Sequence, residues 1–162
     1  MHDYRVNDKN GEKYNLTNEA FIGQGAQGTV YKISESRCVK IYASNQFAKM
    51  ESKAFLSARG SSIIPRLYEK GAGYIIMEYL RGPSTDKYLR GKLIMPRWVT
   101  HQLGQVLQEM RRLHFTKLDS FLRHIFIDRD FKLRIIDLVN AYTVSSLFPA
   151  RLFGDLKNLG LL

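Results

Sequence analysis

Residues 21–42 read FIGQGAQGTVYKISESRCVKIY. The stretches EAFIGQGAQGTVYKI (19–33) and RCVKIYA (37–43) are rich in β-branched and aromatic residues, which favour extended chain, and SESR (34–37) supplies the turn of a hairpin. Gly23, Gly25 and Gly28 form G-x-G-x-x-G, a pattern shared by dinucleotide-binding turns and by ordinary loops. Context separates these readings. A dinucleotide fingerprint opens a helix after its strand and carries an acid about 20 residues further on, whereas here Thr29 to Ile33 continue as strand. Glycines placed between two strands let the backbone approach phosphate groups closely, with amide N–H donors and no Cβ in the way.

Working outward, SNQFAKMESKAFLSARG (44–60) places apolar residues at Phe47, Met50, Ala54, Phe55 and Ala58 behind a Ser44 or Asn45 cap, and Gly60 stops it; this predicts a helix. RLYEKG and GYIIMEYL flank the turn GAG and predict a second hairpin. RGPSTDKYLRGK then brings Gly and Pro punctuation and is the expected boundary, giving units 1–81 and 82–162. From Pro96, apolar residues at Val99, Leu103, Val106, Met110 and Leu113 predict a helix with one core-facing stripe. HIFID and LRIIDL form two short strands joined by Arg129 to Lys132, and a last helix is expected near ARLFGDLKNLGLL. Hairpins and helices in this order predict an α+β fold, not a parallel sheet.

Composition bounds the function. The chain has 162 residues, 44% of them apolar, enough for one sizeable core or two small lobes. One cysteine, Cys38, excludes an intramolecular disulfide framework and favours a cytoplasmic, reducing home. No apolar run reaches the length of a membrane span, and the polar N-terminus MHDYRVNDKNGEKYNLTNEA matches neither a signal nor a transit peptide. Lys plus Arg outnumber Asp plus Glu by 25 to 15, and the net charge of +10 suits an anionic partner: nucleotide phosphates, nucleic acid or an anionic lipid surface. No stacking or groove-reading motif for nucleic acid is present. His101 and His114 lack a Cys or His partner at metal spacing and read as helix-surface or capping groups.

On these residues the chain resembles the protein kinase-like superfamily. IGQGAQGTV is similar to the kinase Gly-rich loop, and CVKIY stands where the family carries its V-A-I-K lysine. The resemblance implies a two-lobed kinase-like fold with a β-rich N-lobe and a truncated helical C-lobe. Lys40 would hold phosphates with Glu51 as its helix partner, and Ile22, Gly23, Gly25, Gly28, Val30, Glu78, Tyr79 and Leu80 would complete an ATP site. In the family, a catalytic Asp lies five residues before a metal-binding Asn and about eighteen before the metal-binding Asp of D-F-G. Asp119, His124 and Asp137 stand at those spacings in KLDSFLRHIFIDRDFKLRIIDL (117–138). Asp119 would face the acceptor, while His124 and Asp137 would bind Mg²⁺ or Mn²⁺.

Four departures qualify what is implied. Leu118 stands where kinases have Arg or Gly, His124 replaces the Asn, DLV replaces D-F-G, and no A-P-E sequence follows. D-x-x-x-x-H followed by IIDLVNA resembles the lipopolysaccharide core sugar kinases, and LFGDLKNLG resembles the Asp-Leu helix that follows in that group and in other small atypical kinases, bacterial Ser/Thr kinases among them. The implied function is ATP-dependent phosphoryl transfer to a hydroxyl of a protein or a sugar. The competing readings are a pseudokinase that acts as a nucleotide-binding or protein-interaction module, and a kinase of a small-molecule hydroxyl.

Overall fold

The computed structural model describes residues 4–7, 13–16 and 20–162; much of the polar N-terminal segment read above, and Glu19, lie outside them. The chain divides into two compact units, Met1–Lys53 with Arg66–Tyr79, and Ala54–Pro65 with Leu80–Leu162. The expected division at residues 81 and 82 is a single cut, whereas this one also assigns residues 54–65 to the second unit.

The first unit is built on a five-stranded antiparallel sheet. Its strands are β3 (Phe21–Gly25), β4 (Gly28–Lys32), β5 (Arg37–Tyr42), β6 (Leu67–Gly71) and β7 (Tyr74–Glu78), in the order β3-β4-β5-β7-β6. A separate hairpin, β1 (Tyr4–Asn7) with β2 (Lys13–Leu16), precedes it and was not expected, because its residues alternate too weakly to mark strands. Leu16, Val39 and Ile76 form the centre of the core, with Tyr31, Ile33, Ile41, Tyr68 and Tyr74 packed around them. Helix α1 (Asn45–Ser57) starts where the Ser44 hydroxyl accepts from the Gln46 N–H at 3.2 Å. It ends before Gly60, whose φ of 86° only glycine adopts freely.

The second unit holds α2 (Thr85–Leu89), α3 (Arg97–Arg112), a 3₁₀ turn (Leu122–His124), the hairpin β8 (Ile125–Ile127) with β9 (Leu133–Ile135), and α4 (Ala150–Asn158). The α3 stripe is buried at Val99, Leu103, Val106 and Met110. His114 adopts φ 60° just past the helix and, with Phe115 donating to the Met110 carbonyl, closes its C-terminus. Helix α2 was not expected: five residues between Pro83 and Gly91 show no period, and tertiary anchoring decides them. Thr85, fully buried, donates its hydroxyl to the Ile125 carbonyl at 2.7 Å, and the Ile127 N–H donates to the Pro83 carbonyl. The chain at Gly82 crosses the hairpin so closely that a Cβ there would stand 1.6 Å from the Ile127 carbonyl oxygen.

Two glycines of this unit make opposite demands on a side chain. Gly82→Ala is expected to destabilise by about 2 kcal/mol or more through that clash. Gly104→Ala, within α3 with nothing within 4 Å of the added methyl, is expected to stabilise by about 1 kcal/mol. Urea unfolding of both variants checks the opposite signs.

Candidate active site

Strand period and register decide which side chains of the first unit meet. Val30, Lys40 and Ile75 are direct cross-strand partners on β4, β5 and β7, so they form one row on one face. Lys40 donates to Glu51 Oε2 at 2.7 Å. Glu51, on α1, is 1% exposed, and a carboxylate so buried requires partners. Tyr42 supplies a second one, its hydroxyl donating to the same oxygen at 2.5 Å. Tyr42 was missed in the sequence, although its position two residues beyond Lys40 on one strand puts both on the same face.

The Gly-rich turn sits between β3 and β4, with Gly25 opposite Gly28. Its three glycines are glycine for different reasons. A Cβ on Gly28 would meet the Ile41 carbonyl oxygen at 2.2 Å, so packing against β5 requires it. Gly23 and Gly25 have nothing within 4 Å of such an atom, and neither has a positive φ. Among the described residues no close packing requires the lack of a side chain at either position. Ile22 lies at the register irregularity of β3 and is exposed.

At the end of β7 the expected adenine-side backbone is partly committed. The Glu78 N–H donates to the Arg66 carbonyl at 2.8 Å and the Tyr79 N–H to the Ser36 carbonyl at 2.9 Å. Both donors are used within the sheet region, and Leu80 belongs to the second unit. The Glu78 carbonyl accepts the weak Cys38 thiol donor at 3.7 Å. Burial, with Glu78 adding repulsion, pushes the Cys38 thiol up to about 12.

In the second unit, the segment from Leu118 to His124 is tied to α4 by two carboxylates running in opposite directions. Asp119 Oδ1 accepts from the Arg151 N–H in the first turn of α4 at 2.8 Å, and Arg151 Nε lies 3.7 Å from Oδ2. This carboxylate satisfies a helix-terminal donor and faces the positive end of the helix. Asp155 of α4 returns the bond, its Oδ2 accepting from the Leu122 N–H at 2.9 Å. Two guanidinium groups lie over the Phe121 ring, Arg123 at 3.8 Å and Arg151 at 4.9 Å from its centre. Leu118, the departure from the kinase pattern, is buried as a core residue.

His124 and Asp137 do come together. His124 Nδ1 lies 3.3 Å from Asp137 Oδ2, both side chains about a quarter exposed. The Ile136 N–H donates to the His124 carbonyl at 2.9 Å and fixes the two segments side by side. Asp137 has φ 67°, an uncommon left-handed conformation outside glycine, of the kind that clusters at functional positions. Asp119, only 7% exposed, is held by α4 instead.

This donor set bears on the metal expectation. Asp137 offers hard oxygen and His124 an imidazole, and among the described residues no group of three or more His, Cys, Asp and Glu side chains converges. Asp137 would give Mg²⁺ one hard oxygen and leave the rest of its shell to water and phosphate, whereas the His124 imidazole suits Mn²⁺ better; the pair does not build an all-protein cage.

No protein-family model matches the chain. It is similar to a curated protein of Bacillus subtilis (strain 168) named "Putative serine/threonine-protein kinase YrzF", with 23% identity over 141 residues. The match covers 83% of this chain and 66% of that protein, so the chain spans just under two thirds of the length of this relative.

The raised pKa of Cys38 predicts its reactivity. At pH 8 to 9 an ordinary thiol ionises and attacks an aromatic disulfide reagent, whereas this buried one stays protonated. Native protein is expected to react at least about tenfold more slowly than protein in denaturant, as followed by the released thiol chromophore.

Proposed function

We propose that the chain is an ATP-dependent kinase of the two-lobed, protein kinase-like type, which transfers the γ-phosphoryl group to a hydroxyl, in the serine/threonine-protein kinase class. The observation that carries this reading is the Lys40–Glu51 pair: a lysine on the strand after the Gly-rich turn, held at 2.7 Å by a buried helix glutamate. A protein that needed only stability could replace such a pair by apolar residues at little cost. Kept, it presents an ammonium in one fixed place, which suits a phosphate ligand.

Each group then has a role. Backbone N–H groups around Gly23 and Gly25 bind phosphate oxygens, and Lys40 neutralises the α- and β-phosphates. Asp137, with His124 beside it, would hold Mg²⁺, which would supply positive charge to the phosphates. Asp119 orients the acceptor hydroxyl and takes up its proton. The chain supplies positioning and electrostatic stabilisation, so small displacements of these groups have large effects on rate. A sugar hydroxyl remains the alternative acceptor, in line with the histidine at position 124.

One observation favours a second reading, a nucleotide-binding pseudokinase: the Asp119 carboxylate is buried and occupied by the N-terminus of α4. Asp119→Asn separates the two, because asparagine keeps an oxygen acceptor for the Arg151 N–H but removes the base. As a kinase, the variant is expected to bind ATP unchanged and lose phosphoryl transfer by about 10²–10⁴-fold. As a pseudokinase, wild type and variant both bind ATP and neither transfers phosphate. ATP with Mg²⁺ is expected to stabilise the wild type by about 2.7 kcal/mol at a hundredfold excess over Kd. Lys40→Ala is expected to lose most of that shift, as read by thermal unfolding.

The pair at the metal position predicts ion preference. Imidazole suits Mn²⁺ better than Mg²⁺, so His124→Asn is expected to lower the ratio of Mn²⁺- to Mg²⁺-supported activity. An unchanged ratio would assign His124 only to orienting Asp137 through their 3.3 Å contact.

A further inference from the structure

The link between α2 and α3 is short and anchored at both ends. Leu89 and Val99 are fully buried, Gly91 turns the chain at φ 81°, the Lys92 N–H donates to the Leu89 carbonyl at 3.1 Å, and Pro96 starts α3. On this fixed turn Leu93 is 93% exposed and Ile94 81%. Two adjacent aliphatic side chains so exposed on a link anchored at both ends have no folding rationale.

Their surroundings specify a partner. Residues 81–98 carry Arg81, Lys87, Arg90, Lys92 and Arg97 against the single acid Asp86. The Arg90 side chain is 74% exposed and 3.8 Å from Asp86, and the Lys92 ammonium lies 4.5 Å from the Tyr88 ring centre. Tyr88, Trp98 and Phe131 follow one another edge to face, with ring centres 5.5 Å and 5.9 Å apart. Phe131 occupies the β8–β9 turn at φ 56°, where glycine or asparagine is the usual choice. Asp128 shapes that turn by accepting from the Asp130 and Lys132 N–H groups, and the ring is 62% exposed.

We propose that this face docks on an anionic phospholipid bilayer. Leu93 and Ile94 would enter the boundary between headgroups and acyl chains, the aromatic row would lie at headgroup level, and Arg90, Lys92 and Arg97 would meet lipid phosphates. Cations around an aliphatic tip, with Tyr and Trp beside it, supply the two signals that membrane attachment needs: apolar burial and attraction to anionic lipid. The contact is peripheral; among the described residues no helix is long and apolar enough to cross a membrane. It is independent of phosphoryl transfer.

Trp98 is the only tryptophan of the chain, so its fluorescence reports on this face alone. The full chain is mixed with vesicles of phosphatidylcholine, or of phosphatidylcholine with phosphatidylglycerol, and sedimented. Binding to the anionic vesicles is expected to exceed binding to neutral ones by about tenfold or more and to fall with salt. Trp98 emission is expected to shift to shorter wavelength and to be quenched by lipids brominated on the acyl chain. The double variant Leu93→Ser with Ile94→Ser, whose exposed positions leave the melting temperature unchanged, should lose about tenfold in partitioning. Arg90→Gln with Lys92→Gln and Arg97→Gln should reduce the preference for anionic vesicles. The proposal is overturned if the wild type stays in the supernatant with both vesicles, if the serine variant binds equally well, or if binding leaves Trp98 emission unchanged. Self-association that the serine variant abolishes, without vesicle binding, would equally overturn it and assign the face to a second copy.

Discussion

The burial of Glu51 is the constraint around which the first unit is arranged. A carboxylate 1% exposed is costly to remove from water, and its cost is offset only by partners fixed at hydrogen-bond distance. Lys40 and Tyr42 alternate on β5 so that both reach it, which ties α1 to the sheet and holds the lysine in one place. Removing one partner of such a pair leaves a buried charge uncompensated, at a cost of about 3–5 kcal/mol. The same bond is therefore a structural tie and, in the reading proposed above, the means by which the Lys40 ammonium would be presented to phosphates.

The second unit uses carboxylates in another way. Asp119 and Asp155 bind backbone N–H groups across the space between the Leu118–His124 segment and α4, each on the other's element. These bonds fix a loop that has almost no regular structure of its own, and they place α4 with its positive end toward Asp119. His124 and Asp137 are brought together by the hairpin between them, since β8 and β9 pair Ile125 with Ile135 and leave the two side chains just beyond the paired residues. The two acids, to which the sequence reading gave different tasks, also have different surroundings: Asp137 stands beside His124, and Asp119 accepts from the first turn of α4.

What was legible in the sequence follows from the range of each interaction. The continuation of strand after Gly28 was visible because β-branched and aromatic residues report it locally, and the antiparallel sheet with its helices is the α+β arrangement they imply. The stripe of α3 was visible at Val99, Leu103, Val106 and Met110 because burial repeats with the helical turn. Helix α2 was hidden: its five residues are held by Thr85 and by a bridge of Ser84 to Phe126, contacts made about 40 residues away. The engagement of Asp119 was hidden for the same reason, because Arg151 lies 32 residues further on and becomes a partner only once α4 starts there. Leu118, which stands where kinases have Arg or Gly, is explained by the core that surrounds it.

The central claim is that Lys40 faces the phosphates of a bound nucleotide. An acyl-phosphate derivative of ATP transfers its acyl group to a lysine amine beside those phosphates, and peptide mapping by mass spectrometry then locates the modified residue. Modification concentrated on Lys40 and suppressed by excess ATP with Mg²⁺ is the expected result. Modification scattered over surface lysines, or label on Lys40 that ATP does not suppress, would contradict it.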